Sequence, residues 1–150
     1  MNKEDRNGLA VLDREECLRR LPRTGVGRVA VTVGALPAIF PVNYALWGDQ
    51  IVFRTTPGTK LDAAVRNTVV AFEVDHAELM SHTGWSVMVV GRSRIVTDST
   101  ELAETDRLPL TRWAREGGAE STVCIDPEVV SGRALRPPVL AEPCLAGGTA

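Results

Sequence analysis

The stretch Ile51-Val52-Phe53-Arg54-Thr55-Thr56-Pro57-Gly58-Thr59-Lys60-Leu61 combines the start of a strand, a turn and the start of a helix. Its first residues are β-branched or aromatic, which favours a strand, and Pro57-Gly58 then marks a turn. Thr59 is a favoured N-cap residue with Asp62 three residues later, so a helix is predicted to begin here. The stretch therefore predicts a strand that leads through a tight turn into a short helix.

Cationic and hydroxyl-bearing side chains gather at this strand-to-helix junction. Strand side chains alternate, so Arg54 and Thr56 share one side while Thr55 takes the other. Beyond the turn, the Thr59 hydroxyl and the Lys60 ammonium join the free N–H groups of a helix start, a combination that suits a phosphate. A structural interpretation is also open, in which Thr59 only caps the helix and the two cations are solvated surface charges.

The composition is that of one globular domain. The 150 residues are 44% hydrophobic and 24% charged, a length sufficient to bury a core. A net charge of −2 and a pI of about 5.7 argue against a duplex-binding surface, which needs many Lys and Arg residues. Only 5% of the residues are aromatic, so a nucleic-acid module with stacking platforms is not favoured either.

Cysteine usage and the N-terminal sequence predict a cytoplasmic protein. Cys17, Cys124 and Cys144 are odd in number and scattered, which disfavours a disulfide framework or a thiolate zinc site. Residues 1–6 are polar and lack the apolar core of a signal peptide. The apolar runs are too short to cross a bilayer, so no membrane partner is expected.

Short apolar or alternating runs joined by turns predict about six strands and a small antiparallel barrel. Pro41 marks an edge, a bulge or a bend in the second run, because proline lacks a ladder donor. Gly91 suggests a bulge or bend in the longest run. The almost uniformly apolar run 69–74 predicts a strand buried on both sides. The runs cover residues 28–33, 38–46, 51–55, 69–74, 85–97, and 121–125 with 129–135 as the last one or two strands.

Two further N-cap signals, at Asp13 and Asp98, predict short peripheral helices. Gly25-Val26-Gly27 lacks the third glycine of a dinucleotide fingerprint and precedes a strand, so we interpret it as a helix exit. Residues 1–11 are expected to be flexible, residues 12–135 to form the domain, and the proline-rich residues 136–150 to be a disordered tail. Trp113 lies in a connection with no clear pattern.

The segment from Asp75 to Gly84 holds both histidines, His76 and His82, together with Asp75 and Glu78. Four potential ligands in ten positions suggest a metal, but their spacing fits no common zinc pattern. We therefore predict a solvated loop and no metal site.

Several short motifs, in their order along residues 12–135, resemble the pyridoxamine 5′-phosphate oxidase-like family of FMN-binding split β-barrels. The sequence is similar to the short, stand-alone members of that family, which include the nitroimidazole-resistance group. The matching motifs are Gly27-Arg28-Val29-Ala30, Pro41-Val42-Asn43-Tyr44, Val52-Phe53-Arg54-Thr55, Gly58-Thr59-Lys60-Leu61, Trp85-Ser86-Val87 with Gly91, and Ser131-Gly132-Arg133.

The resemblance implies a mainly β fold with short peripheral helices, a six-stranded antiparallel split β-barrel that forms a homodimer. It implies that the flavin phosphate lies at the junction and the ring beside the second strand, with the other subunit completing the cleft. The implied phosphate residues are Arg54, Thr55, Thr59 and Lys60, the ring residues Val42, Asn43 and Tyr44, and the other subunit's contributions Trp85, Ser86 and Arg133. Phe53 is also implied to bind the cofactor. Structural roles stay open for three of these: core packing for Trp85, backbone satisfaction for Asn43 and a solvated charge for Arg133.

These implications predict an FMN- or deazaflavin-dependent oxidoreductase that acts on an unidentified small molecule, with NAD(P)H as a candidate donor. A flavin carries its own redox chemistry, so no catalytic side chain is named. The alternative is a non-catalytic protein that stores or carries a flavin or haem. The proline-rich tail stands where full-length oxidases have a substrate-binding segment, which argues against pyridoxamine phosphate oxidation.

Overall fold

The computed structural model describes residues 3–110 and 118–135, which form eight strands and three short helices. All strand pairs are antiparallel. The strands are β1 (Ala10–Leu12), β2 (Thr24–Val33), β3 (Leu36–Trp47), β4 (Gln50–Thr55), β5 (Thr68–Glu78), β6 (Thr83–Ile95), β7 (Ser121–Ile125) and β8 (Val129–Leu135). The helices are α1 (Arg14–Arg20), α2 (Lys60–Ala64) and α3 (Ser99–Thr105).

Six strands close into an antiparallel barrel, as predicted. Their order is β6-β5-β2-β3-β4-β7, and pairing of β7 with β6 closes the circle. One edge of β6 pairs with β5 from Thr83 to Ser93, while its other edge changes partner along its length. Gly84–Val90 pair with β8, and Ser93–Ile95 pair with β7. Strands β8 and β1 therefore extend the sheet outside the barrel.

Gly91 lies at the point where β6 changes partner. A Cβ atom on Gly91 would lie 1.7 Å from the carbonyl oxygen of Asp126, in the turn between β7 and β8. The register with β5 runs through Gly91 without a bulge, since Val70 pairs with Gly91 and Ala71 with Val90. The predicted bulge is therefore wrong on that edge, and close backbone approach is the reason that only glycine fits.

The barrel core is aliphatic around one aromatic pair. Tyr44 is 1% exposed and Phe72 fully buried, and their rings meet edge to face with centroids 5.0 Å apart. The Tyr44 hydroxyl donates a hydrogen bond of 2.8 Å to the Pro22 carbonyl. Burial raises the pKa of Tyr44 to about 12, because the charged phenolate is poorly solvated there.

All three predicted helix starts are confirmed. The Asp13 carboxylate accepts from the Glu16 N–H at 2.8 Å, and the Thr59 hydroxyl accepts from the Asp62 N–H at 3.2 Å. Asp98 accepts from two N–H groups of the first turn of α3. Each cap satisfies donors that the helix itself leaves unpaired.

Three local predictions are wrong. Gly25-Val26-Gly27 lies inside β2, opposite Val42–Tyr44, and does not follow a helix. Strand β5 continues to Glu78, and His76 pairs with Trp85, so most of the predicted loop is a β-hairpin. Val69 is 56% exposed, so β5 is buried on one face rather than two. An apolar outer face makes such a strand look doubly buried in the sequence.

The N-terminal segment contains a strand that the sequence pattern did not indicate. Ala10–Leu12 pairs with Gly132–Ala134 of β8, and the Asp5 carboxylate accepts a hydrogen bond of 3.0 Å from Arg133 Nε. Three residues are too few for an alternating pattern to be recognised. Residues 1–2, the tail 136–150 and Trp113 lie outside the described residues, so the predictions made for them stay predictions.

Two features are absent from the described part of the chain. None of its helices has the length and apolar character needed to cross a membrane. Within residues 3–110 and 118–135, no three His, Cys, Asp or Glu side chains are grouped in a way that could hold a metal ion.

Tyr44→Phe should lower the free energy of unfolding by about 1 kcal/mol at neutral pH, because one partly buried hydrogen bond is lost and the ring packing remains. The folded state keeps the Tyr44 proton up to about pH 12, whereas the unfolded state releases it near 10.0. The stabilising contribution of this proton is present below pH 10.0 and is lost as pH rises towards about 12.

Urea denaturation of both proteins between about pH 8 and pH 11 is the measurement. The stability difference between wild type and variant should shrink above pH 10.0. Tyr44 is the single tyrosine of the chain, so its absorbance change reports the same titration directly. A difference that stays constant over this range would contradict the buried position of the hydroxyl.

Candidate functional site

A cavity of about 720 Å³ opens where β3 and β4 separate. Strand β4 pairs with β3 only along Tyr44–Trp47, so the first part of β3 leaves the edge facing β4 unpaired. Pro41 lies in this part and pairs with Arg28 of β2 alone, which confirms its predicted edge position. The residues that line the cavity are Val26, Phe40, Pro41, Val42, Asn43, Arg54, Thr55, Thr56, Thr59, Lys60, Leu61, Leu110 and Glu120.

One part of the wall is charged and another is apolar. Arg54 and Lys60 are its cations, and the turn between β4 and α2 carries Lys60 into the exposed rim. Phe40, Val42 and Leu61 contribute apolar surface. A concave apolar site with a few polar groups, at this volume, is typical of small-molecule binding.

Arg54 is held in place by acceptors from α3 and the start of β7. Its side chain is 11% exposed, and Nη2 lies 3.4 Å from the Thr105 carbonyl and 3.5 Å from the Asp106 carboxylate. Nε lies 3.9 Å from the carboxylate of Glu120. The guanidinium is thus positioned at the wall, and its charge is partly offset by two carboxylates.

The hydroxyl groups of Thr55 and Thr59 have structural partners. Thr55 Oγ1 donates to the Asp62 carboxylate at 2.8 Å, and Thr59 Oγ1 donates to the Thr56 carbonyl at 2.8 Å. Thr59 also caps α2, as the structural interpretation held. Both side chains line the cavity, but in this structure their protons are used inside the turn.

The start of α2 contributes little field of its own. The helix has five residues, about one turn, and the macrodipole grows with the number of aligned peptide units. The positive character of the cavity therefore comes from the side chains of Arg54 and Lys60 rather than from the helix end that the sequence suggested.

The predicted ring residues and Phe53 are divided between cavity and core. Val42 and Asn43 line the cavity, on opposite sides of β3. Tyr44 and Phe53 belong to the barrel core, where Phe53 is fully buried. Neither side chain lines the cavity, so the structure does not bring these two predicted residues together with the others.

Trp85, Ser86 and Arg133 lie away from this cavity in the single chain. Ser86 pairs with Arg133 between β6 and β8, on the far side of β5 and β2 from β3. Trp85 shares the inward side of β6 with Val87 and lines a second cavity of about 330 Å³ under α1. One chain alone does not bring these three residues to the predicted cleft.

Some lining residues were missed by sequence reasoning. Thr56 could have been found, because it shares a strand side with Arg54. Leu110 and Glu120 gave no signal, since they lie far along the chain and reach the cavity only through barrel closure. The other unpredicted lining residues are Val26, Phe40, Pro41 and Leu61.

Related proteins of known structure share this architecture. The FAD binding protein from Mycobacterium smegmatis is 35% identical, with a TM-score of 0.74 over 85% of this chain and 100% of that chain. A FAD-binding protein from Mesorhizobium loti is 26% identical, with a TM-score of 0.67 over 85% of this chain and 99% of that chain. A candidate 5-nitroimidazole antibiotic resistance protein from Bacteroides thetaiotaomicron has the same fold at 13% identity, with a TM-score of 0.67 over 85% of this chain and 89% of that chain.

The sequence comparisons agree with the structural ones. The uncharacterized protein Rv0080 of Mycobacterium tuberculosis is 39% identical over 126 residues, which are 81% of this chain and 82% of that protein. The profile of the pyridoxamine 5′-phosphate oxidase family matches residues 13–134, nearly the whole described domain. The six-stranded barrel and this match together show that the chain belongs to the pyridoxamine 5′-phosphate oxidase family.

Proposed function

We propose that the protein is a flavin-dependent oxidoreductase whose flavin lies in the cavity between β3 and β4. The observation that carries the proposal is the lining of that cavity, with Arg54 and Lys60 at the turn and apolar side chains along β3. A flavin nucleotide has the same division, an anionic phosphate at one end and a flat, largely apolar ring at the other. The FAD-binding relatives support the ligand class.

Each part of the wall has a distinct task in this proposal. Arg54 and Lys60 hold the phosphate by charge-assisted hydrogen bonds. Phe40 and Val42 provide apolar surface against the ring and exclude water from it. Asn43 brings an amide to the ring edge, where a dipole can stabilise charge that develops on reduction. The bound flavin supplies the redox chemistry, and the protein binds, orients and tunes it.

FMN is the flavin that we propose first, because the cationic part of the wall suits its phosphate and the apolar part suits its ring. FAD and the deazaflavin coenzyme share a tricyclic ring and a phosphate, so the same wall suits them. Nothing in the lining of the described cavity favours haem over a flavin.

The purified protein should carry a yellow chromophore, and the mass of the ligand released by heat should identify FMN, FAD or a deazaflavin. Anaerobic addition of NAD(P)H or of a reduced deazaflavin should bleach its visible absorption. A bound flavin that no such donor reduces would favour the carrier alternative. The absence of both a bound chromophore and saturable binding of added FMN would contradict the proposed function.

Lys60→Ala should weaken FMN binding by about one to two orders of magnitude, because a charge-assisted contact is worth about 1.5–3 kcal/mol. The melting temperature should not change, since Lys60 is exposed and no ion pair or hydrogen bond of its ammonium group occurs among the described residues. Titration of the apo proteins with FMN measures the affinities.

Lys3→Ala is the matched control, because Lys3 is the chain's other lysine and is also exposed. It removes the same charge from a residue that does not line the cavity and should leave FMN affinity unchanged. Equal affinities of Lys60→Ala and wild type would show that Lys60 is an ordinary surface lysine.

We also propose a homodimer, from an apolar surface on the outside of the barrel. Five neighbouring strands, β8, β6, β5, β2 and β3, share one outward side, which we call the outer face. Apolar residues pair across it from strand to strand, namely Val129, Val90, Ala71, Ala30 and Ile39. Ile39 is 68% and Val129 59% exposed in the single chain. Exposed apolar surface of this extent marks an interaction site.

The outer face is continuous with the cavity, because Val26, Pro41 and Asn43 belong to both. Two copies that pack face to face about a twofold axis parallel to the strands would place β6 and β8 of one copy over β3 of the other. The partner subunit's Ser86 and the partner subunit's Arg133 would then approach the cavity. This arrangement would supply two of the three predicted residues that a single chain keeps apart from the cavity.

Met88→Glu should convert the dimer to a monomer, because Met88 is 43% exposed and its side chain lies on the outer face beside Glu73. Light scattering should give twice the 16.2 kDa chain mass for wild type and the chain mass for the variant. Leu36→Glu is the control, since Leu36 is 71% exposed but lies on the opposite side of β3 from Ile39. A wild-type monomer at micromolar concentration would rule out the shared cavity.

We place the protein in the cytoplasm, because a reducing compartment suits its thiols. Cys17 and Cys124 are free and buried in the described residues, and neither thiol is paired in a disulfide. Burial raises the pKa of the Cys124 thiol to about 12, so it stays protonated and unreactive at neutral pH.

A further inference from the structure

Asp62 is a buried carboxylate behind the turn that joins β4 to α2. It is 3% exposed, although the neighbouring turn residues 56–60 are exposed. Among the described residues, no other Asp or Glu is buried. A carboxylate is rarely buried without a specific role for its charge or its acceptor oxygens.

The two oxygens of Asp62 bind the two ends of the turn. Oδ1 accepts from the Thr55 hydroxyl at 2.8 Å, at the end of β4. Oδ2 accepts from the Gly58 N–H at 3.3 Å and from Arg66 Nη2 at 2.8 Å. The side chain of Ser121, which opens β7 opposite Thr55, is near enough to contribute to lowering the pKa of the Asp62 carboxyl. One side chain thus connects β4, the turn and β7.

These partners keep Asp62 ionised. Burial by itself raises the pKa of the carboxyl, but the hydrogen bonds from Arg66, Thr55 and Gly58 outweigh it, so the pKa lies below its usual value. Arg66 neutralises the charge from the solvent side, and Asp62 does not line the cavity. Its negative charge therefore does not face the place where a phosphate would bind.

The start of a short helix does not by itself require the hydrogen bonds that Asp62 accepts. Thr59 already caps α2, and a cap of this kind needs only one acceptor at the N-cap position. The additional bonds of Asp62 fix the distance between Thr55 and Gly58, and Gly58 has the left-handed φ of +83°. Fixing these two residues sets the direction of Thr56 and Lys60, which lie between and just beyond them on the cavity wall.

We propose that Asp62 is a positioning residue for phosphate recognition: it holds the β4–α2 turn in the shape that presents Thr56 and Lys60 to the phosphate of the flavin. The inference rests on the proposed function. Preorganisation of this kind raises affinity by removing the ordering cost at the moment of binding. Loss of Asp62 should therefore weaken the binding of the phosphate and leave the binding of the ring unchanged.

The experiment compares FMN with riboflavin, which has the same ring and side chain but no phosphate. In wild type, the ratio of the two dissociation constants measures phosphate recognition. Asp62→Asn keeps the size of the side chain and one acceptor oxygen but loses the charge and the second acceptor. It should bind FMN about 3- to 10-fold more weakly, the value of one hydrogen bond, and riboflavin within about twofold of wild type.

Glu101→Gln is the matched control. Glu101 also forms a carboxylate–arginine pair, with two hydrogen bonds of 2.9 and 3.0 Å to Arg94, but it lies on α3 and does not contact the turn. The substitution removes the same kind of ion pair and should lower the melting temperature without changing the ratio of the two constants.

Thr55→Val tests the same contact from the other side and keeps the charge of Asp62. It should also lower the preference for FMN over riboflavin. The double variant, Asp62→Asn with Thr55→Val, should lose less of this preference than the product of the two single losses, because both substitutions remove the same contact. This variant keeps the inference testable if Asp62→Asn folds poorly.

Two outcomes would overturn the inference. One is a fall in melting temperature with an unchanged ratio in both variants, which would make Asp62 structural only. The other is a wild-type protein that does not prefer FMN to riboflavin. That result would be visible before any substitution, and it would reject the phosphate site itself together with the role of Asp62.

Discussion

The barrel closes where the backbone of Gly91 lies against the carbonyl of Asp126, at a separation that leaves no space for a Cβ atom. At this point one edge of β6 stops pairing with β8 and begins to pair with β7. Because β7 also pairs with β4, the close approach at Gly91 fixes the position of β4 relative to the rest of the barrel. The location of the cavity follows from that constraint.

Strand β4 is paired along its length with β7 but only partly with β3. The unpaired part of β3 and the turn after β4 consequently face each other across a gap, and that gap is the cavity. The same closure brings Glu120 and Ser121, at the start of β7, to the turn. The cavity is thus built by strand pairing, and Asp62 links the turn to the same strand that closes the barrel.

The charges around the cavity are arranged in two layers. Arg54 and Lys60 lie at the wall, and Arg54 is held there by Asp106 and Glu120. Behind the turn, Asp62 pairs with Arg66. These carboxylates hold Arg54 and the turn in position, and Asp106 and Glu120 also offset part of the positive charge at the wall. The outer face adds a third component, because its apolar surface reaches Pro41 and Asn43 and so connects the proposed dimer interface with the cavity.

Local pattern determined the elements of this protein. The caps at Asp13, Thr59 and Asp98 and the limits of β7 and β8 were predicted correctly, because each depends on residues within a few positions of one another. The junction after β4, with Arg54 and Lys60 at one wall, was predictable for the same reason. Alternation also indicated which residues share a strand side.

Only the tertiary structure decided which side is covered. Tyr44 and Phe53 enter the core and Val69 faces outwards because neighbouring strands, distant in sequence, cover one face and leave the other open. Leu110 and Glu120 reach the cavity through pairing of β7 with strands far along the chain. Asp62 looked like a helix-start residue, and its burial against Thr55 and Ser121 depends on that long-range pairing. Alternation specifies relative sides, whereas burial depends on what packs against them.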